Sequence, residues 1–169
     1  WVIARNETAL WTLKRQCIVP LRVFAMDITQ TENLLRLEEE LEKVKPYVKY
    51  FVNAAGCGIN KKIKETDLMD CNRMLEVNCN ALTLLTKRSR IVMLASASAF
   101  LPQPGFAVYA ASKSYVLSFS RALRRELKKT GTTVTIVCPG PVDTPFLDTI
   151  GGKDSIPVIK RPFIMKTDK

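Results

Sequence analysis

The sequence predicts a doubly wound α/β domain built on a mostly parallel sheet with helices on both faces. Five short runs rich in β-branched and other apolar residues alternate with longer stretches of helical periodicity. Each short run is almost wholly apolar, which is typical of parallel strands covered on both faces. At 169 residues the chain has the length of one domain, so we predict a single domain over residues 1–169.

The first half of the chain contains three predicted strands and two predicted helices. Residues 1–4 (WVIA) form the end of a strand, residues 21–26 (LRVFAM) the second strand and residues 48–52 (VKYFV) the third. A first helix covers about residues 6–17. The second helix has one apolar face and ends near Pro46, because its apolar residues recur at helical spacing at Leu34, Leu37, Leu41 and Val44.

The second half contains two long predicted helices and two strands. Residues 66–87 are predicted to be helical, and residues 90–95 (RIVMLA) form the fourth strand. A long helix follows over residues 107–129, and residues 132–138 (TTVTIVC) form the fifth strand. The inward positions of the long helix are predicted to be Val116, Phe119, Leu123 and Leu127. Because ligands of doubly wound sheets bind at the carboxyl ends of the strands, the residues that follow each strand are the candidates for function.

The composition indicates a globular protein of a reducing compartment. Apolar residues make up 47% and charged residues 25% of the chain, and no apolar run approaches the roughly 18 residues of a membrane span. The five cysteines are odd in number and show no CxxC spacing, so we expect reduced thiols and a cytoplasmic location. The absence of histidine excludes a Ser-His-Asp triad and argues against zinc, and we expect no metal.

The net charge of +10 suggests an anionic partner, and nucleic acid is one alternative. The basic residues are scattered, however, with short clusters only at residues 61–64 and 121–129, and no nucleic-acid-binding motif accompanies them. An anionic small molecule fits the charge equally well. We therefore predict a small-molecule partner rather than nucleic acid or a membrane.

Tyr109 and Lys113, in the segment YAASK, lie four residues apart and share one face of the predicted long helix. A phenol is a poor proton donor near neutral pH because its ordinary pKa is about 10, and a neighbouring cation lowers that pKa. The two residues are therefore candidates for general acid–base chemistry. Tyrosine and lysine are common, so a surface pair on an ordinary helix is the alternative.

Three further segments follow predicted strands and should meet at one edge of the sheet. Residues 53–56 (NAAG) are small, so the backbone there could approach a ligand closely, and a tight turn is the alternative. Residues 95–98 (ASAS) carry hydroxyls, and residues 139–144 (PGPVDT) form a rigid loop that ends in a hydroxyl. Within these segments we interpret Ser98 and Asp143 as turn and loop-edge residues.

Together these segments resemble the motifs of the short-chain dehydrogenase/reductase family over nearly the whole chain. NAAG, the serine of LASAS, YAASK and PGPVDT occur in the family's order, and Ser96 lies 13 residues before Tyr109, which is the family's usual interval. Asn78, in the segment MLEVN, falls where the family has its catalytic asparagine. The alternative for Asn78 is a polar residue on a helix face. The resemblance implies a Rossmann-like sheet.

The resemblance also implies an NADP(H)-dependent oxidoreductase that interconverts a carbonyl and an alcohol. Tyr109 is the expected general acid in reduction and general base in oxidation, and Lys113 is expected to lower its pKa and hold the nicotinamide ribose. Ser96 is expected to bond the substrate oxygen and Asn78 to orient a water chain, while the hydride belongs to the cofactor. The alternative is a catalytically idle relative that binds a dinucleotide as a redox sensor or scaffold. The presence of all four expected catalytic residues argues against this alternative.

The cofactor preference implied by the resemblance depends on Arg5. NAD-preferring relatives usually carry an aspartate at this position, whereas a guanidinium can pair with the 2′-phosphate of NADP(H). The alternative is an exposed arginine that opens a helix. The other cofactor contacts implied by the resemblance are Asp27, Ile28, Asn53, Ala54, Gly56, Tyr109, Lys113, Pro139, Gly140, Val142 and Thr144.

The sequence departs from the family pattern in two places. The family's glycine-rich phosphate turn is not found, and we expect it to precede Trp1, with a first strand, in a longer protein. Residues 82–92 run from helix into strand without Gly, Pro or Asn to turn the chain. We therefore expect about ten residues of connector between Lys87 and Arg88.

The resemblance finally implies a homodimer or homotetramer formed through the helices at residues 66–87 and 107–129. Leu84, Tyr115 and Leu117 are expected on the exposed flanks of these helices, more apolar surface than a monomer needs. Residues 146–169 are expected to cover the substrate, and their mixed character suggests an apolar pocket.

Overall fold

The computed structural model describes residues 1–86, 90–156, 161–162 and 164–167. The chain divides into two compact units, Trp1–Tyr47 and Val48–Lys169. The single domain predicted over residues 1–169 therefore stays a prediction. The connector expected between Lys87 and Arg88 lies outside the described residues.

The first unit is a two-stranded parallel sheet with two helices. Strand β1 (Val2–Ala4) pairs with strand β2 (Val23–Ala25), and helices α1 (Glu7–Gln16) and α2 (Thr31–Val44) follow the two strands. Helix α1 begins where Asn6 accepts a hydrogen bond from the Ala9 N–H at 2.9 Å, which satisfies one of the free donors of the first turn. The buried apolar side chains of the first unit are Leu10, from α1, and Leu37, from α2.

The second unit contains a three-stranded parallel sheet in the order β3 (Phe51–Asn53), β4 (Ile91–Leu94) and β5 (Val134–Val137). Between β3 and β4 the chain forms α3 (Leu68–Leu75), a π-helical segment (Glu76–Ala81) and α4 (Leu82–Leu85). The long helix α5 (Ala107–Glu126) joins β4 to β5, and the short helix α6 (Pro145–Thr149) follows β5. Single 3₁₀ turns lie at Ile63–Glu65, Ala97–Ala99, Leu127–Lys129 and Lys153–Ser155.

The core of the second unit lies between the sheet and α5. Its buried cluster consists of Leu82, Ile91, Met93, Ala95, Val116 and Val134. The other predicted inward residues of α5, Phe119, Leu123 and Leu127, are partly buried against this cluster. Full burial of one large apolar side chain contributes about 1.5–3 kcal/mol to folding, so this cluster fixes α5 across the sheet.

Two expectations about surfaces and boundaries are corrected by the structure. Leu117 was expected on an exposed flank but is only 7% exposed, because α5 packs against α3 as well as against the sheet and so buries a wider face. Leu84 and Tyr115 are exposed, as expected. The strands are shorter than predicted: β3 begins at Phe51, where its N–H first bonds across to the Arg90 carbonyl at 2.8 Å.

Candidate active site

Tyr109 lies in the first turn of α5 with its ring enclosed by aromatic side chains. The residue is 7% exposed. The Phe106 ring packs edge to face against it at a centroid distance of 5.5 Å, and the Phe146 ring, from α6, lies tilted at 5.8 Å. The phenol therefore stands in a largely apolar setting, which disfavours its ionised form.

Lys113 follows Tyr109 by one helical turn and is buried beside it, at 5% exposure. Its ammonium donates to the carbonyl oxygen of Leu94, the last residue of β4, at 3.0 Å. The ammonium lies 5.8 Å from the centroid of the Tyr109 ring. Lysine is almost never buried without a partner, so this placement is a specific feature of the fold.

Ser96 follows β4 by two residues and joins the same group. Its hydroxyl accepts a hydrogen bond from the Ser98 N–H at 3.1 Å and opens the 3₁₀ turn Ala97–Ala99. Ser96 lies close enough to the Tyr109 phenol to act on its ionisation, in the direction that lowers the pKa. The expected proximity of these two hydroxyls is therefore observed, because the end of β4 and the start of α5 lie at the same edge of the sheet.

Asn78 is fully buried in the π-helical segment between α3 and α4. Its amide NH₂ donates to the Cys57 carbonyl and to the Ser112 hydroxyl, both at 2.9 Å, and its oxygen accepts from the Cys57 N–H at 3.0 Å. The Ser112 hydroxyl donates in turn to the Tyr109 carbonyl at 2.7 Å. These bonds connect Asn78 to the helix that carries Tyr109, and π-helical turns of this kind are frequent at functional sites.

The electrostatics of the tyrosine–lysine pair differ from the sequence-based expectation. Burial raises the pKa of Tyr109 above its ordinary value, the Ser96 hydroxyl acts in the opposite direction, and the Cys57 thiol adds to the increase. Burial lowers the pKa of Lys113, and the thiols of Cys57 and Cys79 oppose that change. The expectation that Lys113 lowers the pKa of Tyr109 is therefore not met, because burial is the largest influence on both groups.

Two contacts of this group were missed by the sequence analysis. Ser112 lies inside the YAASK segment, but its contact with Asn78 depends on how α5 meets the π-helical segment. Gly58 lies beside Tyr109: a Cβ atom on Gly58 would come within 2.9 Å of Tyr109 Cδ2. The only signal in the sequence was position, since Ser112 lies within YAASK and Gly58 lies two residues after NAAG.

The residues from Asn53 to Gly56, at and after the end of β3, differ in how accessible they are to a ligand. Asn53 is 7% exposed, and its amide donates to the Thr86 hydroxyl at 3.1 Å and contacts the Met93 sulfur at 3.3 Å. This side chain is directed into the unit, so any contact of Asn53 with a cofactor would come from its main chain. Ala54 and Gly56 are exposed, which leaves their backbone open to a ligand.

The loop after β5 is held by the segment that follows α6. Val142 forms a parallel bridge with Met165, and the Asp143 N–H donates to the Met165 carbonyl at 2.8 Å. The Asp143 carboxylate pairs with Lys153 at 2.8 Å, in keeping with its interpretation as a loop-edge residue. Thr144 is half-buried and precedes α6. The remaining candidates of this loop, Pro139 and Gly140, are partly or fully exposed.

In the first unit, Arg5 and Asp27 follow adjacent parallel strands. Arg5 is exposed and comes directly after β1, while Asp27 is half-buried beyond the end of β2, with Ile28 beside it. The Asp27 carboxylate accepts from the Thr29 N–H at 3.0 Å and from its hydroxyl at 2.8 Å. The backbone bond from Thr29 is the largest cause of the lowered pKa of Asp27; burial opposes it, and the Thr29 hydroxyl and the Arg5 charge assist it.

Comparison with known proteins defines the class to which this fold and site belong. The model of a family described as short chain dehydrogenase matches residues 1–154. An uncharacterized oxidoreductase of Staphylococcus epidermidis is 31% identical over 157 residues, which cover 87% of this chain and 68% of the relative.

Two solved structures show the same fold. The 3-ketoacyl-(acyl-carrier-protein) reductase from Brucella melitensis, complexed with NADH, is 25% identical with a TM-score of 0.79, over 90% of this chain and 69% of that one. ElxO with NADPH bound is 18% identical with a TM-score of 0.76, over 86% of this chain and 64% of that one. This chain thus spans about two thirds of the length of these proteins.

The fold is a Rossmann-like α/β fold with parallel sheets. The chain belongs to the short chain dehydrogenase family, whose oxidoreductases act on CH–OH and C=O groups.

Proposed function

We propose that the intact protein is an NADP(H)-dependent oxidoreductase that interconverts a carbonyl and an alcohol, with Tyr109 as general acid and base. One observation carries the proposal: Tyr109, Lys113, Ser96 and Asn78 are all buried in the second unit. Burial of polar side chains is costly unless they are bonded, and Asn78, Ser96 and Lys113 each form a side-chain hydrogen bond, while the Tyr109 ring is held by aromatic contacts. Such a group is held in position before any substrate arrives.

The residues of the second unit fit a nicotinamide dinucleotide. Lys113 uses one N–H direction on the Leu94 carbonyl, and a tetrahedral ammonium offers two more to ribose hydroxyls. Gly56 adjoins that ammonium, and a Cβ there would come within 3.3 Å of it, so the missing side chain leaves room for a close approach of the backbone. Tyr109 and Lys113 would hold the ribose, and the main chains of Asn53, Ala54 and Gly56 the adenosine side. When bound, the dihydronicotinamide supplies the hydride.

In reduction, Tyr109 transfers its hydroxyl proton to the substrate oxygen, and Ser96 donates a hydrogen bond to that oxygen as charge develops on it. In oxidation, Tyr109 takes the proton back. Lys113 holds the ribose, and Asn78 fixes the loop after β3 against α5. The proposed nicotinamide contacts of the β5 loop are Pro139, Gly140, Val142 and Thr144.

The preference for NADP(H) is proposed from Arg5 and its surroundings. Arg5 is exposed at the end of β1, so its guanidinium is accessible to a 2′-phosphate and can bond it through two N–H groups. The proposed contact with adenine comes from Asp27, with Ile28 beside it. The solved neighbours carry NADH in one case and NADPH in another, so the family resemblance alone leaves the preference open.

We further propose a cytoplasmic homodimer or homotetramer that acts on a small carbonyl or alcohol compound rather than on nucleic acid. None of the five cysteines, which all lie among the described residues, is in a disulfide, and this fits a reducing compartment. The exposed side chains of Leu84 and Tyr115 supply apolar surface for assembly. In the part of the chain that the structure describes, no helix has the length and apolar character needed to cross a bilayer.

The test is an assay of NADPH oxidation across a panel of ketones and aldehydes, using NADPH deuterated at the transferable position. We expect deuterium on the carbonyl carbon of the alcohol product. Ser96→Ala should lower turnover without abolishing NADPH binding, since Ser96 acts on the substrate oxygen. Tight NADPH binding with no deuterium transfer to any carbonyl would favour the idle dinucleotide-binding relative instead.

A further inference from the structure

The segment Gly56–Gly58 contacts three of the four proposed catalytic side chains in succession. Gly56 adjoins Lys113, Cys57 exchanges two main-chain hydrogen bonds with Asn78, and Gly58 adjoins Tyr109. Both ends of the segment are glycine, so its backbone can approach the side chains of Lys113 and Tyr109 closely. Of this segment, only Gly56 was predicted to contact the cofactor.

Gly58 makes the closest approach of the three. A Cβ atom on Gly58 would lie 2.9 Å from Cδ2 of Tyr109, closer than real Cβ contacts come, and 3.1 Å from Cζ of Phe146, which is tighter than most such contacts. Gly58 is buried, and its backbone is outside the left-handed region, so glycine is required here for space and not for conformation. The main chain of Gly58 therefore lies directly against the rings of Tyr109 and Phe146.

A side chain at this position would have to displace Tyr109. The end of the half-buried Phe146 ring can move away, but Cδ2 of Tyr109 lies near the base of its ring. Rotation of the Tyr109 ring about its own axis is limited by Phe106, which packs edge to face against it. Relief therefore requires a shift of the whole ring, which moves the hydroxyl relative to Ser96.

We propose that Gly58 is a positioning residue for the proposed general acid, acting through van der Waals contact between its main chain and the rings of Tyr109 and Phe146. This inference rests on the proposed function. A misplacement of the reacting group by about 1 Å can cost up to a hundredfold in rate, so even one methyl group at this contact should be measurable.

The experiment compares Gly58→Ala with wild type in the intact protein, in the carbonyl reduction assay and in the reverse direction. We expect kcat to fall at least about tenfold while the Kd for NADPH changes less than about twofold. Because displacement weakens the effect of Ser96, which lowers the pKa of Tyr109, the rise of the oxidation rate with pH should move to higher pH. Merely reduced stability would leave that pH profile unchanged.

Two further variants make the result specific. Gly131→Ala strains a left-handed backbone (φ 74°) in open space, so it should lower Tm and leave kcat and the pH profile unchanged. In the Gly58→Ala background, Phe146→Leu removes the ring atom at 3.1 Å and opens space into which the backbone at residue 58 can withdraw from Tyr109, so part of the lost kcat should return. If Gly58→Ala does not fold, the kcat and pH profile of the double variant Gly58→Ala/Phe146→Leu are compared with those of the single variant Phe146→Leu.

Two results separate this inference from the proposed function. Wild-type kcat and pH profile in folded Gly58→Ala, together with an inactive Tyr109→Phe, would overturn the role of Gly58 and leave the role of Tyr109 intact. If Gly58→Ala does not fold, a double variant with the same kcat as Phe146→Leu would likewise overturn the role of Gly58. Wild-type turnover in Tyr109→Phe would overturn the proposed function itself.

Discussion

The two units of the chain hold their candidate residues in opposite ways. In Val48–Lys169, the proposed catalytic side chains are at most 9% exposed. In Trp1–Tyr47, the residues proposed to select the cofactor, Arg5 and Asp27, are exposed and half-buried respectively. The first unit also buries few apolar side chains, namely Leu10 and Leu37.

This difference indicates what substitutions can change in each unit. In the second unit every proposed catalytic group depends on its neighbours, so a single replacement should affect both stability and chemistry. In the first unit, the side chain of Arg5 is accessible to solvent, so a change of charge should alter cofactor choice and leave folding nearly unchanged. The predictions that follow test this contrast, beginning with the largest expected effect.

Asn78→Ala should lower the free energy of unfolding by about 2–4 kcal/mol, because it removes the three hydrogen bonds of a fully buried side chain, two with the Cys57 main chain and one with the Ser112 hydroxyl. Urea unfolding followed by circular dichroism measures the loss. Asn72→Ala is the matched control, since Asn72 is exposed on α3, and it should be nearly neutral. Equal stabilities of the two variants would contradict the supporting role of Asn78.

Arg5→Asp should reduce the ratio of kcat/KM for NADPH to that for NADH by about tenfold or more, because it removes a charged partner of the 2′-phosphate and adds a repelling charge. Unfolding stability should change little. Arg36→Asp, at another exposed arginine of the first unit, is the control and should leave the ratio unchanged. An unmoved ratio in Arg5→Asp would make Arg5 an ordinary surface residue.

Leu84→Asp should weaken the proposed assembly, because it places a charge on an apolar surface that would be desolvated in the oligomer. Light scattering at micromolar concentration should show an oligomer for the wild type and smaller particles for the variant. Ile18→Asp, at an exposed apolar residue of the first unit, should not alter the mass. A monomeric wild type would refute the proposed assembly.

Asp27→Asn should have the smallest effect, a pH-dependent loss of stability. The lowered pKa of Asp27 means that the carboxylate stabilises the fold above the unfolded pKa of about 4, and that this contribution is lost as pH falls through the lower folded pKa. Because Asp27 is only half-buried, we expect less than about 1 kcal/mol. Thermal melts should therefore show Asp27→Asn below wild type near neutral pH and equal to it in strong acid. A Tm difference independent of pH would exclude this linkage.

Sequence periodicity predicted the two helices of the first unit well because their boundaries depend on local signals. Asn6 caps α1 as its residue type suggests, and the apolar face of α2 ends just before Pro46. The strands were predicted too long because an apolar run does not reveal how many of its residues find a hydrogen-bonding partner. Leu117 was misplaced for a related reason: which faces of α5 are covered depends on α3, a helix distant in sequence.

The sequence could predict those site residues that follow strands, because the carboxyl ends of parallel strands lie at one edge of a sheet. Ser96 and Tyr109 meet because β4 and α5 meet at one edge of the sheet. The contacts of Gly58 and Ser112 could not be predicted, since both depend on distances between separate elements. The raised pKa of Tyr109 was missed because the spacing of residues does not reveal burial, which is the largest influence on this phenol.

The central claim is that Tyr109 transfers the proton, and the most direct test is turnover of Tyr109→Phe in the intact protein. The substitution removes only the hydroxyl and keeps the ring that packs against Phe106 and Phe146. We predict that kcat falls at least about a hundredfold while the Kd for NADPH stays nearly unchanged, and that Tyr47→Phe, at an exposed tyrosine, keeps wild-type kcat. Wild-type turnover in Tyr109→Phe would contradict the account.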